Sequence, residues 1–151
     1  MRIRRFRKED AGKCSDIIRK CFQTVNSRDY PKKSIEEQVE NNSPKNLIER
    51  SKKTSYFVAA EKNDILGIGG YDKIKVHTFF VDSGLHRKGI GKKIMERVLS
   101  EANKDGIKTL DAWSTFYAEG FYSSFGFRKI REFTLPGKHS SITFILMRKK
   151  L

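Results

Sequence analysis

The stretch from Phe79 to Met95 reads FFVDSGLHRKGIGKKIM and decides how the rest of the chain is interpreted. An apolar strand ends near Val81, a short loop carries basic residues into a Gly-x-Gly turn, and a helix with an apolar stripe follows. Gly89 and Gly91 let the backbone approach a ligand where a Cβ would obstruct it. The helix start adds unpaired N–H groups and the positive end of the helix dipole. The stretch therefore predicts an anion site, with phosphate or pyrophosphate as the expected ligand.

Two common phosphate-binding loops do not fit this stretch. A P-loop needs a lysine directly after its second glycine, and Ile90 stands there when the count begins at Gly84. A dinucleotide fingerprint needs a third glycine, and that position is Ile94. For this stretch alone, a glycine turn ahead of a solvated basic helix remains the alternative interpretation.

A second informative segment is AEGFYSSFGF, from Ala118 to Phe127. Together with HRKGIG, from His86 to Gly91, it resembles the GNAT superfamily of N-acetyltransferases. In that family an R/Q-x-x-G-x-G/A loop binds the pyrophosphate of acetyl-CoA, and an A-x-x-[FL]-Y-x-x-x-G-F segment follows one strand later. This chain departs from the pattern at His86, where the family usually has Gln or Arg. The resemblance implies a mixed α/β fold with a central, splayed mixed β-sheet flanked by helices, as one domain over residues 1–151.

The resemblance also implies which residues bind the co-substrate. Backbone N–H groups of the loop would hold the pyrophosphate, and the preceding strand would pair with the pantetheine arm while its side chains pack in the core. One N–H of that strand, for instance that of Phe79, would polarise the acetyl carbonyl. Thr115 stands where the family commonly has a cofactor-binding Asn. The implied binding residues are Phe79, Phe80, Val81, Arg87, Lys88, Gly89, Ile90, Gly91, Lys92 and Thr115, and no metal is expected.

Tyr122 is the candidate general acid. In relatives, the matching hydroxyl protonates the departing thiolate of CoA. A phenol with a pKa of about 10 suits a leaving group of similar basicity, because the proton transfer then needs little driving force. A core tyrosine with an ordinary hydrogen bond is the alternative.

The general base is less clearly marked. Many relatives carry a glutamate early in the strand before the loop, but the matching position here is near Lys75, and no acid lies between Lys73 and Val81. His77 is the residue in that strand whose ordinary pKa suits a base at neutral pH. Glu61, Asp111, a chain of waters and a mere packing role for His77 are the alternatives.

Composition bounds the class of protein. The 151 residues, with 37% hydrophobic and 11% aromatic content, predict one globular domain. No apolar run approaches the ~20 residues that a membrane helix needs, so no membrane partner is expected. Cys14 and Cys21 lie on one predicted helix, ~10 Å apart and beyond disulfide reach. We expect two buried thiols and a cytoplasmic protein.

The net charge of +14 would attract any polyanion, from CoA to nucleic acid. The basic residues are spread along the chain, and no zinc-ligand spacing, basic zipper or aromatic RNA-binding signature accompanies them. A basic solvated surface is therefore the preferred interpretation, and nucleic acid is not the expected partner.

Apolar periodicity and turn signals predict the elements. Predicted strands are Arg2–Arg7, Ser55–Glu61, Ile65–Tyr71, Ile74–Val81, Thr109–Trp113, Phe127–Phe133 and Ile142–Arg148. Predicted helices are Glu9–Val25, Gly91–Asn103 and Ala118–Phe125, with one or two short helices in Arg28–Lys53, where Ser34 and Glu37 form a capping box. The strand–helix–strand unit around Gly91–Asn103 implies a parallel, right-handed crossover.

The functional prediction is an acetyl-CoA-dependent N-acetyltransferase that moves the acetyl group directly onto a primary amine of a small molecule, peptide or protein. A noncatalytic acyl-CoA-binding module and a nucleic-acid-binding protein are the alternatives. The segments Arg28–Lys53 and Leu135–Ser141 are expected to line the acceptor pocket, and a homodimer is left open.

Overall fold

The computed structural model describes residues 1–24, 30–85, 88–138 and 141–151. The strands are β1 (Arg2–Arg5), β2 (Ser55–Glu61), β3 (Asp64–Tyr71), β4 (Lys75–Val81), β5 (Thr109–Ser114), β6 (Arg128–Pro136) and β7 (Ser141–Lys150). The helices are α1 (Ala11–Thr24), α2 (Lys32–Asn41), α3 (Pro44–Arg50), α4 (Ile90–Lys104) and α5 (Glu119–Ser124). No helix in these ranges is both long and apolar enough to cross a membrane.

The strands form one mixed sheet in the order β1-β2-β3-β4-β5-β7-β6. The β4–β5 pair is parallel, whereas the other neighbouring strands pair antiparallel. β4 and β5 are in register only at Lys75–Asp111 and Val76–Ala112, and from His77 to Val81 β4 has no described strand on that side. The sheet therefore splays open in its middle. These observations confirm the predicted mixed α/β class and the splayed central sheet.

Two apolar layers cover the two faces of the sheet. On one face α4 buries Ile94, Met95 and Val98 against strand residues such as Phe57 and Leu110. On the other face α1 buries its apolar stripe, together with α2 and α3, against alternate residues of the same strands. The interior strand β2 is buried on both faces, and for that reason its sequence is nearly continuously apolar.

A β-bulge in β4 shapes the splayed region. The register between β3 and β4 shifts between Ile68 and Gly70, and Thr78 adopts a left-handed φ of 61°. Bulges turn a strand and redirect its side chains. Gly69 is required opposite this bulge, because a Cβ there would lie 2.6 Å from Cε1 of Phe79.

Several predicted boundaries need correction. The helix predicted over Glu9–Val25 is a 3₁₀ turn (Lys8–Asp10) followed by α1, and Val25 lies outside the described residues. The capping box of Ser34 and Glu37 is wrong, since α2 already begins at Lys32 after Pro31. Ser34 lies inside the helix and donates a hydrogen bond to the Ser141 carbonyl (2.7 Å). The Ser34 hydroxyl, which was predicted to cap the helix, instead makes this tertiary contact with β7. Local sequence does not reveal such a contact.

The last hairpin is longer than predicted. The predicted strands Phe127–Phe133 and Ile142–Arg148 leave out Leu135, Pro136 and Ser141. In the structure Leu135 pairs with Ile142 and Pro136 pairs with Ser141, as the ends of β6 and β7. Proline is tolerated there because β6 is an edge strand.

The two cysteines are free and buried, as predicted. Burial raises the pKa of the Cys14 thiol and that of the Cys21 thiol to about 12. Both groups are therefore protonated and unreactive at neutral pH.

Candidate active site

A cleft of about 1580 Å³ opens where β4 separates from β5. Its walls come from β4, the start of α4, the α5 region, and the α2–α3 segment. Lys88 is exposed but does not line the cleft, and Arg87 and His86 lie outside the described residues. The sequence-predicted residues that the cleft brings together are His77, Phe79, Phe80, Val81, Gly89, Ile90, Gly91, Lys92, Thr115 and Tyr122.

One end of the cleft, here called the loop end, consists of Gly89–Lys92, Thr115 and Tyr122. Gly89 caps α4 with a φ of 78°, a conformation that a side chain would strain. The first intrahelical hydrogen bond runs from the Lys93 N–H to the Gly89 carbonyl (3.1 Å). The N–H groups of Ile90, Gly91 and Lys92 therefore have no acceptor among the described residues, as is usual for a helix start. Unpaired N–H groups at the start of a 15-residue helix are a favourable environment for an anion.

The strand that leads into this loop packs its side chains into the core. Phe79 packs against the rings of Phe121 and Tyr122, with centroids 6.0 and 6.2 Å away. Phe80 packs on the opposite face against Phe22, at 5.4 Å. The Val81 carbonyl accepts a hydrogen bond from Cys21 Sγ (3.1 Å). No described strand pairs with the β5-facing side of β4 beyond Val76, which leaves room for an extended ligand beside a packed strand.

Tyr122 is buried and lines the cleft. Only 5% of it is exposed, and its ring packs edge-on against Phe127 (5.6 Å) as well as Phe79. The Tyr122 hydroxyl makes no hydrogen bond with any described residue, and burial raises the pKa of the phenol. A buried hydroxyl without a partner is costly. The hydroxyl is therefore protonated at neutral pH and available to a ligand.

Thr115 also lines the loop end, but its hydroxyl has a local task. Its Oγ1 accepts a hydrogen bond from the Ala118 N–H (3.2 Å), which closes the turn ahead of α5. This contact fixes the approach of the chain to Tyr122.

His77 lies further back along β4, within a polar network. Its Nε2 is 3.2 Å from Thr54 Oγ1 and 3.4 Å from Asp72 Oδ2, and its Nδ1 is 3.1 Å from Thr78 Oγ1. Burial lowers the pKa of His77 to about 4, and Lys75 and Arg50 act in the same direction, whereas Asp72 opposes them. His77 is therefore neutral at pH 7 and a weaker base than an ordinary histidine.

The two carboxylates considered as alternative bases do not reach the cleft. Glu61 lines a separate cavity of about 630 Å³ near Arg2 and Arg4. Asp111 is held by Arg148, with Oδ1 2.6 Å from Nε, and is not among the cleft-lining residues. Neither residue is positioned to accept a proton there, so both are removed as alternatives to His77.

Asp72 is a cleft residue that the sequence analysis missed. Its Oδ1 accepts the N–H groups of Ile74 (2.8 Å) and Lys75 (2.9 Å), so that Oδ2 is left to face His77. Asp72 lies one residue before the range Lys73–Val81, which contains no acidic residue. An Asp at a tight turn before a strand is the local signal that would have found it.

Arg50 was missed as well. It ends α3, and its guanidinium donates hydrogen bonds to Tyr56 Oη (2.9 Å), Asn42 Oδ1 (2.6 Å) and Thr78 Oγ1 (3.3 Å). A fourth hydrogen bond goes to the Asn41 carbonyl (3.0 Å). From the two predicted acceptor segments, the cleft is lined by Gln38, Asn41, Asn42, Asn46, Glu49, Arg50, Lys53 and Leu135, while residues 28, 29, 139 and 140 lie outside the described part.

Similar solved structures cover nearly the whole chain. A GCN5-related N-acetyltransferase (aminotransferase, class II) from Rhodopseudomonas palustris matches with a TM-score of 0.91 at 15% identity, over 99% of this chain and 95% of that one. The PaiA N-acetyltransferase from Thermoplasma acidophilum, solved with coenzyme A, matches with 0.80 at 19% identity, over 99% and 98%. Ribosomal-protein-alanine N-acetyltransferase from Brucella melitensis matches with 0.71 at 16% identity, over 100% of both chains. At such identities the likeness establishes the fold.

The family itself is established from the sequence. The family model of the acetyltransferase (GNAT) domain matches residues 22–151, which include every cleft-lining residue except Cys21. The match agrees with the paired motifs at His86–Gly91 and Ala118–Phe127. The chain belongs to the GNAT family of acetyltransferases.

Proposed function

We propose that this acetyltransferase uses acetyl-CoA to acetylate a primary amine of a small molecule, peptide or protein by direct transfer. One observation carries the proposal: a single cleft joins an unpaired helix N-terminus to the buried, unpartnered hydroxyl of Tyr122. An anion site and a proton donor in one cavity are what a phosphate-anchored thioester needs.

Acetyl-CoA supplies the activated acetyl group, and residues of this chain bind it, orient it and transfer the protons. We assign the pyrophosphate to the backbone N–H groups of residues 87–92, with Lys88 and Lys92 adding charge. The edge of Phe79–Val81 orients the pantetheine arm, and the Phe79 N–H polarises the acetyl carbonyl. Tyr122 donates a proton to the sulfur that leaves, and His77 accepts a proton of the amine. Thr115 supports the cofactor side of the cleft.

The direct test combines binding with turnover. Acetyl-CoA should raise the melting temperature more than acetyl-pantetheine does, because only the former carries the pyrophosphate. With an amine acceptor, free thiol should then form in step with acetylated product. Equal affinity for acetyl-CoA and acetyl-pantetheine would show that the loop does not bind the pyrophosphate. Tight acetyl-CoA binding without turnover on any amine would favour the noncatalytic module.

The basic surface has its own test. Duplex DNA should bind weakly, with an affinity that falls steeply between low and physiological salt. Sequence-selective nanomolar binding at physiological salt would favour the nucleic-acid alternative.

We further propose that residues 1–151 act as one catalytic domain in the cytoplasm. The free, buried thiols of Cys14 and Cys21 support a reducing compartment. Oligomeric state is to be measured by light scattering, which separates a monomer from a homodimer.

A further inference from the structure

We propose that the acceptor carries an anionic group, a carboxylate or a phosphate, in addition to its amine. This group would bind at the end of the cleft lined by Arg50, Lys53 and Lys75, here called the cationic end. The inference rests on the proposed acetyl transfer, since it names the substrate class of the same site.

The cations at this end lack ionic partners within the described residues. All four hydrogen bonds of Arg50 go to neutral oxygens of Tyr56, Asn41, Asn42 and Thr78. Lys75 lies with Nζ 3.2 Å from the ring centroid of Trp113 and forms no ion pair there.

The lysine that completes the set is exposed. Lys53 likewise makes no ion pair with any carboxylate in the part of the chain that the structure describes. Three positive charges thus line this end of the cleft, and none of them forms an ion pair with a described residue.

The carboxylates at the same end are already engaged. Glu49 pairs with Lys52 (3.0 Å), which does not line the cleft. Asp72 accepts two backbone N–H groups and faces His77. Asp72 also attracts Lys75. A single carboxylate cannot balance the charges of Arg50, Lys53 and Lys75, so the cationic end keeps an excess of positive charge.

Repulsion between the cations supports a ligand of opposite charge. Burial lowers the pKa of Lys75, and the nearby Arg50 lowers it further, whereas Asp72 raises it. A site that holds two like charges together is stabilised when an anion lies between them.

The cofactor's pyrophosphate cannot be that anion. A strand rises ~3.3 Å per residue, so Lys75 lies roughly 20 Å along β4 from Val81, where the phosphate loop begins. The acyl end of the cofactor and the acceptor lie between these two ends of the cleft.

The same charge has a consequence for catalysis. A positive potential disfavours the ammonium form of a bound acceptor and so lowers its pKa. The amine then reaches its neutral, nucleophilic form with only a weak base nearby, which matches the lowered pKa of His77 (about 4). Polyamines, which carry several positive charges, would be excluded by the same field.

Matched acceptor pairs test the proposal. We expect kcat/KM to be at least about tenfold higher for β-alanine than for β-alaninamide, or for O-phosphoethanolamine than for ethanolamine, since one charge contact at close range is of that order. The pair with the larger ratio identifies the anion as carboxylate or phosphate. Equal or better use of the amides, of ethanolamine or of 1,3-diaminopropane overturns the inference and leaves acetyl transfer intact. Absence of turnover on every amine overturns the proposed function itself, and the inference falls with it.

Charge-deletion variants locate the site. Lys75→Gln and Lys53→Gln should raise KM several-fold to about tenfold for the anionic acceptor, and they should raise it much less for the neutral counterpart. Lys45→Gln is the matched control, because Lys45 is exposed on α3, does not line the cleft and forms no ion pair among the described residues. Arg50→Gln should have the largest effect. If it fails to fold because it loses Tyr56 and Asn42, the two lysine variants decide. Equal rises in KM for both members of a pair, or an equal effect of Lys45→Gln, contradict the assignment.

Discussion

The loop end and the cationic end of the cleft differ in the groups that line them. At the loop end, Gly89–Lys92 present backbone N–H groups, and Tyr122 adds one hydroxyl. At the cationic end, charged side chains from α3, the following turn and β4 converge. A substitution does not remove a backbone N–H group, and it can only block access to it with a new side chain. A charged side chain, in contrast, is removed by a single substitution. The two ends should therefore respond to different kinds of substitution.

The largest effect is expected when the loop end is blocked by a side chain. Gly91→Glu should abolish the stabilisation by acetyl-CoA, weakening its affinity about 100-fold or more. A Cβ at Gly91 already lies 3.1 Å from Cε1 of Phe121, and a carboxylate there would repel the phosphates. Gly12→Glu is the control, since nothing lies within 4 Å of its Cβ on the distant helix α1. Isothermal titration with acetyl-CoA measures both variants, and unchanged affinity in Gly91→Glu would place the phosphates elsewhere.

Removal of one hydroxyl should separate binding from chemistry at the loop end. Tyr122→Phe keeps the ring packing against Phe79 and Phe127, so acetyl-CoA affinity should persist while kcat and kcat/KM both fall about 100-fold. Single-turnover kinetics provide the measurement, and an unchanged chemical step would return Tyr122 to a packing role.

Tyr71→Phe is the matched control for Tyr122. Its hydroxyl donates to Asp105 (2.6 Å) outside the cleft. Its loss should lower the free energy of unfolding by about 1–3 kcal/mol and leave kcat unchanged.

The lowered pKa of His77 should make the free energy of unfolding depend on pH. The pKa of His77 is about 4 in the fold and 6.5 ordinarily, so between these values the unfolded chain binds a proton that the folded chain does not. Stability is therefore complete above pH 6.5 and is lost as the pH falls toward 4, by up to about 3 kcal/mol. Urea unfolding of wild type and His77→Gln across this range measures the difference.

The kinetic counterpart identifies the base. If His77 accepts the proton of the amine, the acidic limb of kcat/KM should lie near pH 4 and disappear in His77→Gln. A limb near pH 6.5 that survives the substitution would transfer the role to another group.

The smallest expected effect is at Thr115. Thr115→Ala removes the hydrogen bond to the Ala118 N–H, which should cost about 1 kcal/mol of stability and raise the Kd of acetyl-CoA a few-fold. Thr115→Ser retains the hydroxyl and should restore both values. A wild-type Kd in Thr115→Ala would limit Thr115 to shaping the turn.

The fold and the loop end could be predicted because their signals are local. The strand Ser55–Glu61 was recovered with its bounds, and α4 begins one residue before the predicted Gly91. Apolar periodicity and a Gly-x-Gly turn act over a few neighbouring residues, which a single sequence displays directly. The lengths of β6 and β7 were predicted too short. The pairing of Leu135 with Ile142 extends both strands at the edge of the sheet, and local sequence patterns do not reveal it.

Local sequence patterns are enough to predict the mixed α/β class, the glycine turn before α4, the paired motifs of the family and the tyrosine within the second motif. The hydrogen bond from Arg50 to Thr78, 28 residues later in the chain, and the contact between Asp72 and His77 are visible only in the folded protein. The same holds for the positions of Glu61 and Asp111 away from the cleft. Helix starts and strand patterns depend on neighbours in the chain. The cationic end depends on contacts between distant segments, because it forms where the sheet splays and Arg50, at the end of α3, reaches Thr78 in β4.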